Sequence, residues 1–127
     1  MRIMNPGPED FHVHSLCFSD GINTVDEIVH YAARCGLERI AITDHSQAYL
    51  DSRGFAKKTT RSAVARWRNV HNHVEVVFGV EGDILNRAGD ICDHIQGRSG
   101  ELLILSAHEK PFADDPACIT EAYLNAI

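Results

Sequence analysis

Four short apolar runs constrain this chain more than any other feature, because each ends in a residue that can bind a metal. Phe11 and Val13 alternate with His12 and His14; Arg39-Ile40-Ala41-Ile42-Thr43 leads into Asp44-His45-Ser46. Val74-Glu75-Val76-Val77-Phe78 leads into Gly79-Val80-Glu81, and Leu102-Leu103-Ile104-Leu105 into Ser106-Ala107-His108. Runs of this length and composition are strands, and near-continuous apolar ones are strands buried on both faces of a parallel sheet. The ends at His14, His45, Glu81 and His108 are 31, 36 and 27 residues apart, each long enough for one βα unit. Between them, Asn23 or Thr24 caps a helix over Val25, Ile28, Val29, Ala32 and Ala33, with Asp26 and Glu27 in its first turn and Gly36 as its stop. A second helix is expected from about Thr59 to Val70. Asp83-Ile84-Leu85 and Asp90-Ile91-Cys92 flank Asn86-Arg87-Ala88-Gly89 as a hairpin, and Pro116 opens a last helix reaching Ile127. Strand–helix alternation implies an α/β fold with a parallel sheet and right-handed crossovers.

In such folds the loops at the carboxyl ends of the strands converge on one face, and function collects there. His12 and His14, two apart on a strand, point into one space. Asp20, in a Ser-Asp-Gly turn just beyond, is placed to fold back and add a carboxylate. Imidazole and carboxylate ligands together suit Zn²⁺, Mn²⁺ or Fe²⁺ better than Mg²⁺ or Ca²⁺, which favour all-oxygen shells. Asp44 is expected to orient a histidine rather than to bind metal itself. Arg53, Lys57, Lys58, Arg61, Arg66 and Arg68 form a stretch without an acid that holds six of the twelve cationic residues. Its first part, Arg53 to Arg61, follows the second strand and would overhang the site, where it is a candidate for phosphate recognition. His30, His71, His73 and His94 lie away from strand ends and read as surface residues.

Composition narrows the function classes. The 127 residues carry a net charge of −6, which argues against a general nucleic-acid-binding surface, and 44% are hydrophobic, enough for one domain with a real core. No apolar run reaches the roughly 18 to 20 residues of a membrane span, and residues 1–8 have no apolar leader core. Cys17, Cys35, Cys92 and Cys118 lack CxxC spacing, which points to reduced thiols and a cytoplasmic setting, with Cys17 and Cys92 as small buried residues.

Asp10-Phe11-His12-Val13-His14-Ser15, Ser19-Asp20-Gly21, Thr43-Asp44-His45-Ser46, Gly79-Val80-Glu81 and Ser106-Ala107-His108 together resemble, in order and spacing, the motifs of the PHP (polymerase and histidinol phosphatase) family. The resemblance spans Asp10 to about Pro116. It implies a distorted seven-stranded (β/α) barrel, of which this chain holds about the first four βα units. It also implies up to three divalent metals at the carboxyl face, held here by His12, His14, Asp20, His45, Glu81 and His108. The activity it implies is hydrolysis of a phosphate ester by a metal-activated water, on a small phosphorylated substrate, a nucleotide or a nucleic-acid end, with no membrane partner. The family's later ligands, a further strand-end histidine and an Asp-x-His, have no counterpart before Ile127. Residues 1–127 are therefore expected to be one domain cut short at its carboxyl end, with open sheet edges that a missing half or a partner subunit covers. Two other readings stand beside this one. They are a catalytically incomplete remnant or accessory subunit, and a barrel hydrolase acting on C–N bonds.

Overall fold

A computed structural model describes residues 7–54, 68–108 and 115–127. Its elements are β1 (Glu9–Val13), α1 (Val25–Arg34), β2 (Arg39–His45), α2 (Gln47–Ser52), β3 (Glu75–Ile84), β4 (Ile91–Cys92), β5 (His94–Ile95), β6 (Arg98–Ser99), β7 (Leu102–Ser106) and α3 (Pro116–Ala126). β1, β2, β3 and β7 form a parallel sheet in that order, curled as part of a (β/α) barrel. Among the described residues no strand pairs with the outer edge of β1 or of β7. The expected hairpin is present, with β4 running antiparallel to the end of β3 through Asp83–Cys92 and Ile84–Ile91.

β2 is an inner strand of this sheet, and six of its seven residues are buried. Ile40 and Ile42 pack outward against Val25, Val29 and Ala32 of α1, with Phe78, Val80 and Ile95 in the same core. α1 begins at a full capping box. The Thr24 side chain accepts from the Glu27 N–H, and the Glu27 carboxylate accepts from the Thr24 N–H. α3 packs on β3 and β7 through Ala122, Ile119 and Tyr123 against Ile84 and Leu105. Asp115 caps its first turn, and Pro116 follows where no N–H is needed.

Three details, in β3, α2 and Cys17, differ from the sequence expectation. β3 continues through Gly79 and Gly82 to Ile84, where the glycines suggested an end. They are there for close approach, since a Cβ on Gly79 would lie 2.5 Å from Thr43 Cγ2 and one on Gly82 would lie 2.7 Å from Leu103 Cδ1. A helix, α2, follows His45 at once. Its two turns carry too little apolar periodicity to announce it. The helix expected from Thr59 lies mostly outside the described residues, and Arg68 to Val70 are irregular. Cys92 is buried as expected, whereas Cys17 is half-buried.

Candidate metal centre

The first strand is not a simple alternation. Asp10 pairs with Ile40 and Val13 with Ile42, so Phe11 and His12 together oppose Ala41. This bulge puts Asp10 on the outer side with Val13. His12 and His14 then share the inner face with Ala41, Thr43 and His45. On the next strand His45 pairs with Glu81, and period two carries Asp83 to the same face. Glu81 pairs with Ile104 and Asp83 with Ser106, which brings the end of β7 and His108 alongside.

The side chains meet around Glu81, which is 5% exposed. Glu81 Oε2 lies 3.0 Å from His14 Nε2 and 2.9 Å from His45 Nδ1. Glu81 Oε1 lies 3.6 Å from His12 Nε2 and 3.7 Å from His108 Nε2. From the loop after β1, Asp20 Oδ1 comes within 2.9 Å of His14 Nδ1 and 3.7 Å of His45 Nε2. All six residues singled out from the strand ends and the Ser-Asp-Gly turn are thus gathered in one place. They compose three overlapping groups, His12–His14–Glu81, His14–Asp20–His45 and His45–Glu81–His108, each with its ligand atoms within 4.8 Å of one another.

His14 Nε2, His45 Nδ1 and Glu81 Oε2 are buried and close, yet none is aligned for a hydrogen bond. Buried polar atoms without partners are costly. The orphaned atoms and the imidazole–carboxylate chemistry fit divalent cations held by the overlapping groups, with Glu81 shared between two of them. Without cations, protons take their place. Glu81 beside it raises the His14 pKa to about 9, against the burial that lowers it, and Asp20 adds to the rise. Burial pushes the Glu81 carboxyl up, but His14, His45 and His108 outweigh it and hold it well below the usual carboxylate range.

Two buried carboxylates brace the ligands. Asp44 is fully buried and accepts from the backbone N–H and the Oγ of Ser15, the latter at 2.6 Å. Its hydrogen bonds fix the chain just after His14 rather than a histidine ring, because alternation along β2 turns Asp44 away from His45. Burial raises its pKa, opposed by the Ser15 contacts. Asp83, also fully buried, was not among the residues picked from the sequence. Its Oδ1 lies 2.8 Å from His108 Nδ1, and its Oδ2 accepts from Ser46 Oγ at 2.6 Å. Its sequence signal is its place two residues after Glu81 on the same strand, which its part in the hairpin with Cys92 obscures.

Tyr49 of α2 stacks on the His45 ring, centroids 3.8 Å apart, and meets His108 edge-on at 5.1 Å. Arg53 caps α2 with its guanidinium 5.1 Å over the Tyr49 ring, which sets a cation beside the centre. Lys57, Lys58, Arg61 and Arg66 lie outside the described residues. His30, His71 and His73 are exposed and His94 is half-buried, all away from the centre.

Comparison with known proteins agrees with this geometry. A "Probable phosphatase" of Serratia proteamaculans (strain 568) is 29% identical over 122 residues, covering 94% of this chain and 49% of that protein. A "Probable phosphatase" of Shewanella sp. (strain ANA-3) is 32% identical over 123 residues, covering 94% of this chain and 47% of the other. The "DNA polymerase III PolC-type" of Clostridium perfringens is 28% identical over 109 residues, 84% of this chain but 6% of the polymerase. The chain thus spans about half the length of the phosphatases it matches. Residues 10–126 match the model of the PHP domain, and the chain belongs to that family.

Proposed function

We propose that this chain carries the metal-binding wall of a phosphoesterase that hydrolyses a phosphate ester with a water activated at a multinuclear metal centre. The observation behind this reading is the set of three overlapping ligand groups that share His14, His45 and Glu81. His12, His14, Asp20, His45, Glu81 and His108 would hold the cations, with Zn²⁺ or Mn²⁺ the best match to mixed imidazole and carboxylate donors and Fe²⁺ next. Such cations, when bound, polarise a phosphoryl oxygen and lower the pKa of water toward 7. The chain's own contribution is placement. Glu81 sits within reach of four imidazoles, Asp20 closes the side toward the loop, and Tyr49 walls off His45 and His108. Arg53, followed by Lys57, Lys58 and Arg61, would neutralise the substrate phosphate and orient it as a fork or point charge.

The substrate class that fits is a small phosphomonoester, a nucleotide or a nucleic-acid end, in a reducing, cytoplasmic setting where the four thiols stay free. The outer edges of β1 and β7, unpaired among the described residues, and the half-length match to the phosphatases support a further proposal. The rest of the barrel, in the same polypeptide or a partner subunit, would supply the far wall of the site. The 127-residue chain alone should then be slow. The test is phosphate release from a generic phosphomonoester with Mn²⁺ or Zn²⁺, by this chain and by a complete barrel containing it, with Glu81→Ala and His108→Ala as controls. Metal-dependent release by the complete barrel that either substitution abolishes is the expected result. Absence of release by both forms, or release of amine from amide substrates instead, would overturn the assignment.

A further inference from the structure

α2 is short, yet it is fixed at both ends. Gln47 and Asp51, four apart, share one of its faces. Gln47 Nε2 donates to Asp51 Oδ1 at 2.9 Å, and Gln47 Oε1 accepts at 2.9 Å from the N–H of Gln96, in the turn between β5 and β6. Leu50 anchors the helix in the core. At the other end the Arg53 N–H donates to the Tyr49 carbonyl at 3.1 Å, and the Ser52 hydroxyl donates to the same carbonyl at 2.9 Å. Gly54 then leaves the helix at φ +67°, in the left-handed region where a side chain is strained.

Tyr49 and Arg53, also four apart, share the face that borders the centre. The Tyr49 ring stacks on His45 at 3.8 Å with planes inclined at 21°, and meets His108 edge-on at 5.1 Å and 66°. The Arg53 guanidinium lies 5.1 Å over that same ring. One aromatic ring thus contacts two candidate metal ligands and carries a cation, which stands one side chain away from the centre. Arg53 is exposed. Among the described residues Arg39 and Arg87 pair with carboxylates and Arg53 does not, so its charge is open to an anion. A long exposed arginine samples many rotamers, and ordering it on binding costs affinity. A ring beneath the guanidinium removes part of that cost in advance, because the planar group stacks on the aromatic face while its N–H fork stays free.

Resting on the phosphoesterase reading above, we propose that Tyr49 is a positioning residue whose ring holds the Arg53 guanidinium beside the centre, aimed at the phosphoryl group of the substrate. The ring carries this role and the phenol hydroxyl does not. The test measures binding of inorganic phosphate to the Zn²⁺-saturated chain by phosphorus NMR titration, with Zn²⁺ content checked by elemental analysis. It reads binding, so it is decided whether or not hydrolysis is seen. Arg53→Ala should weaken phosphate binding about tenfold, as loss of a charge-assisted contact does. Tyr49→Leu should weaken it about threefold, the worth of a cation–π contact, and Tyr49→Phe should not change it. In the Arg53→Ala background Tyr49→Leu should cost nothing more, a non-additivity that a general disturbance of the metal ligands would not produce. Arg53→Lys keeps the charge without the planar stack, leaves Tyr49 in place, and should lose about threefold. Wild-type phosphate affinity in Tyr49→Leu or in Arg53→Lys, or an equal loss from Tyr49→Leu with and without Arg53, would overturn the inference and leave Arg53 acting unaided. Phosphate affinity unchanged in Arg53→Ala, or absent from the wild type, would instead overturn the phosphate recognition on which it rests.

Discussion

Replacing Asp83 tests whether the centre depends on how its ligands are held. Its carboxylate is buried between two donors. Oδ1 faces His108 Nδ1, which commits that proton and leaves Nε2 toward Glu81, and Oδ2 takes the Ser46 hydroxyl. In Asp83→Asn the amide oxygen still accepts from His108 and the amide N–H₂ donates to Ser46 Oγ, so geometry survives and the charge is lost. In Asp83→Ala both partners are stranded in a buried pocket. Loss of a group that orients a metal-ligating histidine weakens metal binding by about 10- to 100-fold. Asn should fall near the lower figure, about 1.4 kcal/mol, and Ala near the upper, about 2.8 kcal/mol. Ala should also destabilise the metal-free fold by about 1 to 3 kcal/mol, because buried polar groups lose their partner. Competition for Zn²⁺ or Mn²⁺ against a chromophoric chelator reads the first effect, and denaturant unfolding in excess chelator reads the second. Wild-type metal affinity in Asp83→Ala would refute the argument that His108 must be oriented to ligate.

Glu81→Gln removes the charge at which four histidines converge, and should reduce metal content at the centre to near zero by elemental analysis while the chain stays folded. Without metal, His14 titrates at about 9, above its ordinary 6.5. Its contribution to stability is then full below pH 6.5 and lost as pH rises through 9. Melting temperature in chelator should fall across that window. Metal affinity should rise across the same window, because the proton that competes for His14 leaves, and dialysis at pH 6, 7.5 and 9 checks this. Thr24→Ala breaks the capping box of α1 and should cost about 1 kcal/mol in denaturant unfolding, with metal affinity unchanged.

The parallel sheet was legible because its four strands are apolar runs, and the six gathered side chains were legible because each stands at a strand end or in a turn just past one. What was not legible depends on pairs of segments rather than on one. The bulge that separates Asp10 from His12 and His14 exists only in the pairing of β1 with β2. Alternation alone puts all three on one face. Gly79 and Gly82 look like punctuation in a single strand, and only the neighbouring Thr43 and Leu103 side chains show why a Cβ is excluded. α2 is stabilised by the site it borders more than by its own pattern, with Leu50 in the core and Tyr49 on His45. Its capping residue, Ser46, spends its hydroxyl on Asp83 and makes no side-chain cap. Asp44 illustrates the same limit: a histidine partner is expected for it, and its hydrogen bonds go to Ser15, 29 residues away.

The two buried carboxylates also explain how four strand ends reach a common geometry before any metal binds. Asp44 joins the end of β1, through Ser15, to the end of β2. Asp83 joins the end of β2, through Ser46, to β3 and to the residue that follows β7, His108. Each ligand-bearing strand end is therefore cross-braced to the next by a charge-assisted hydrogen bond, the stronger kind and stronger still away from water. The braces attach beside the ligands and leave the inward nitrogens of His14 and His45 unsatisfied. Small metallo-domains that rely on the ion to fold have no such bracing, and their metal-binding energy is spent on ordering the chain. Here the ordering is carried by Asp44, Asp83 and the apolar sheet beneath them. More of the energy of metal binding is then left to hold the ion, and the arrangement of the centre belongs to the chain itself.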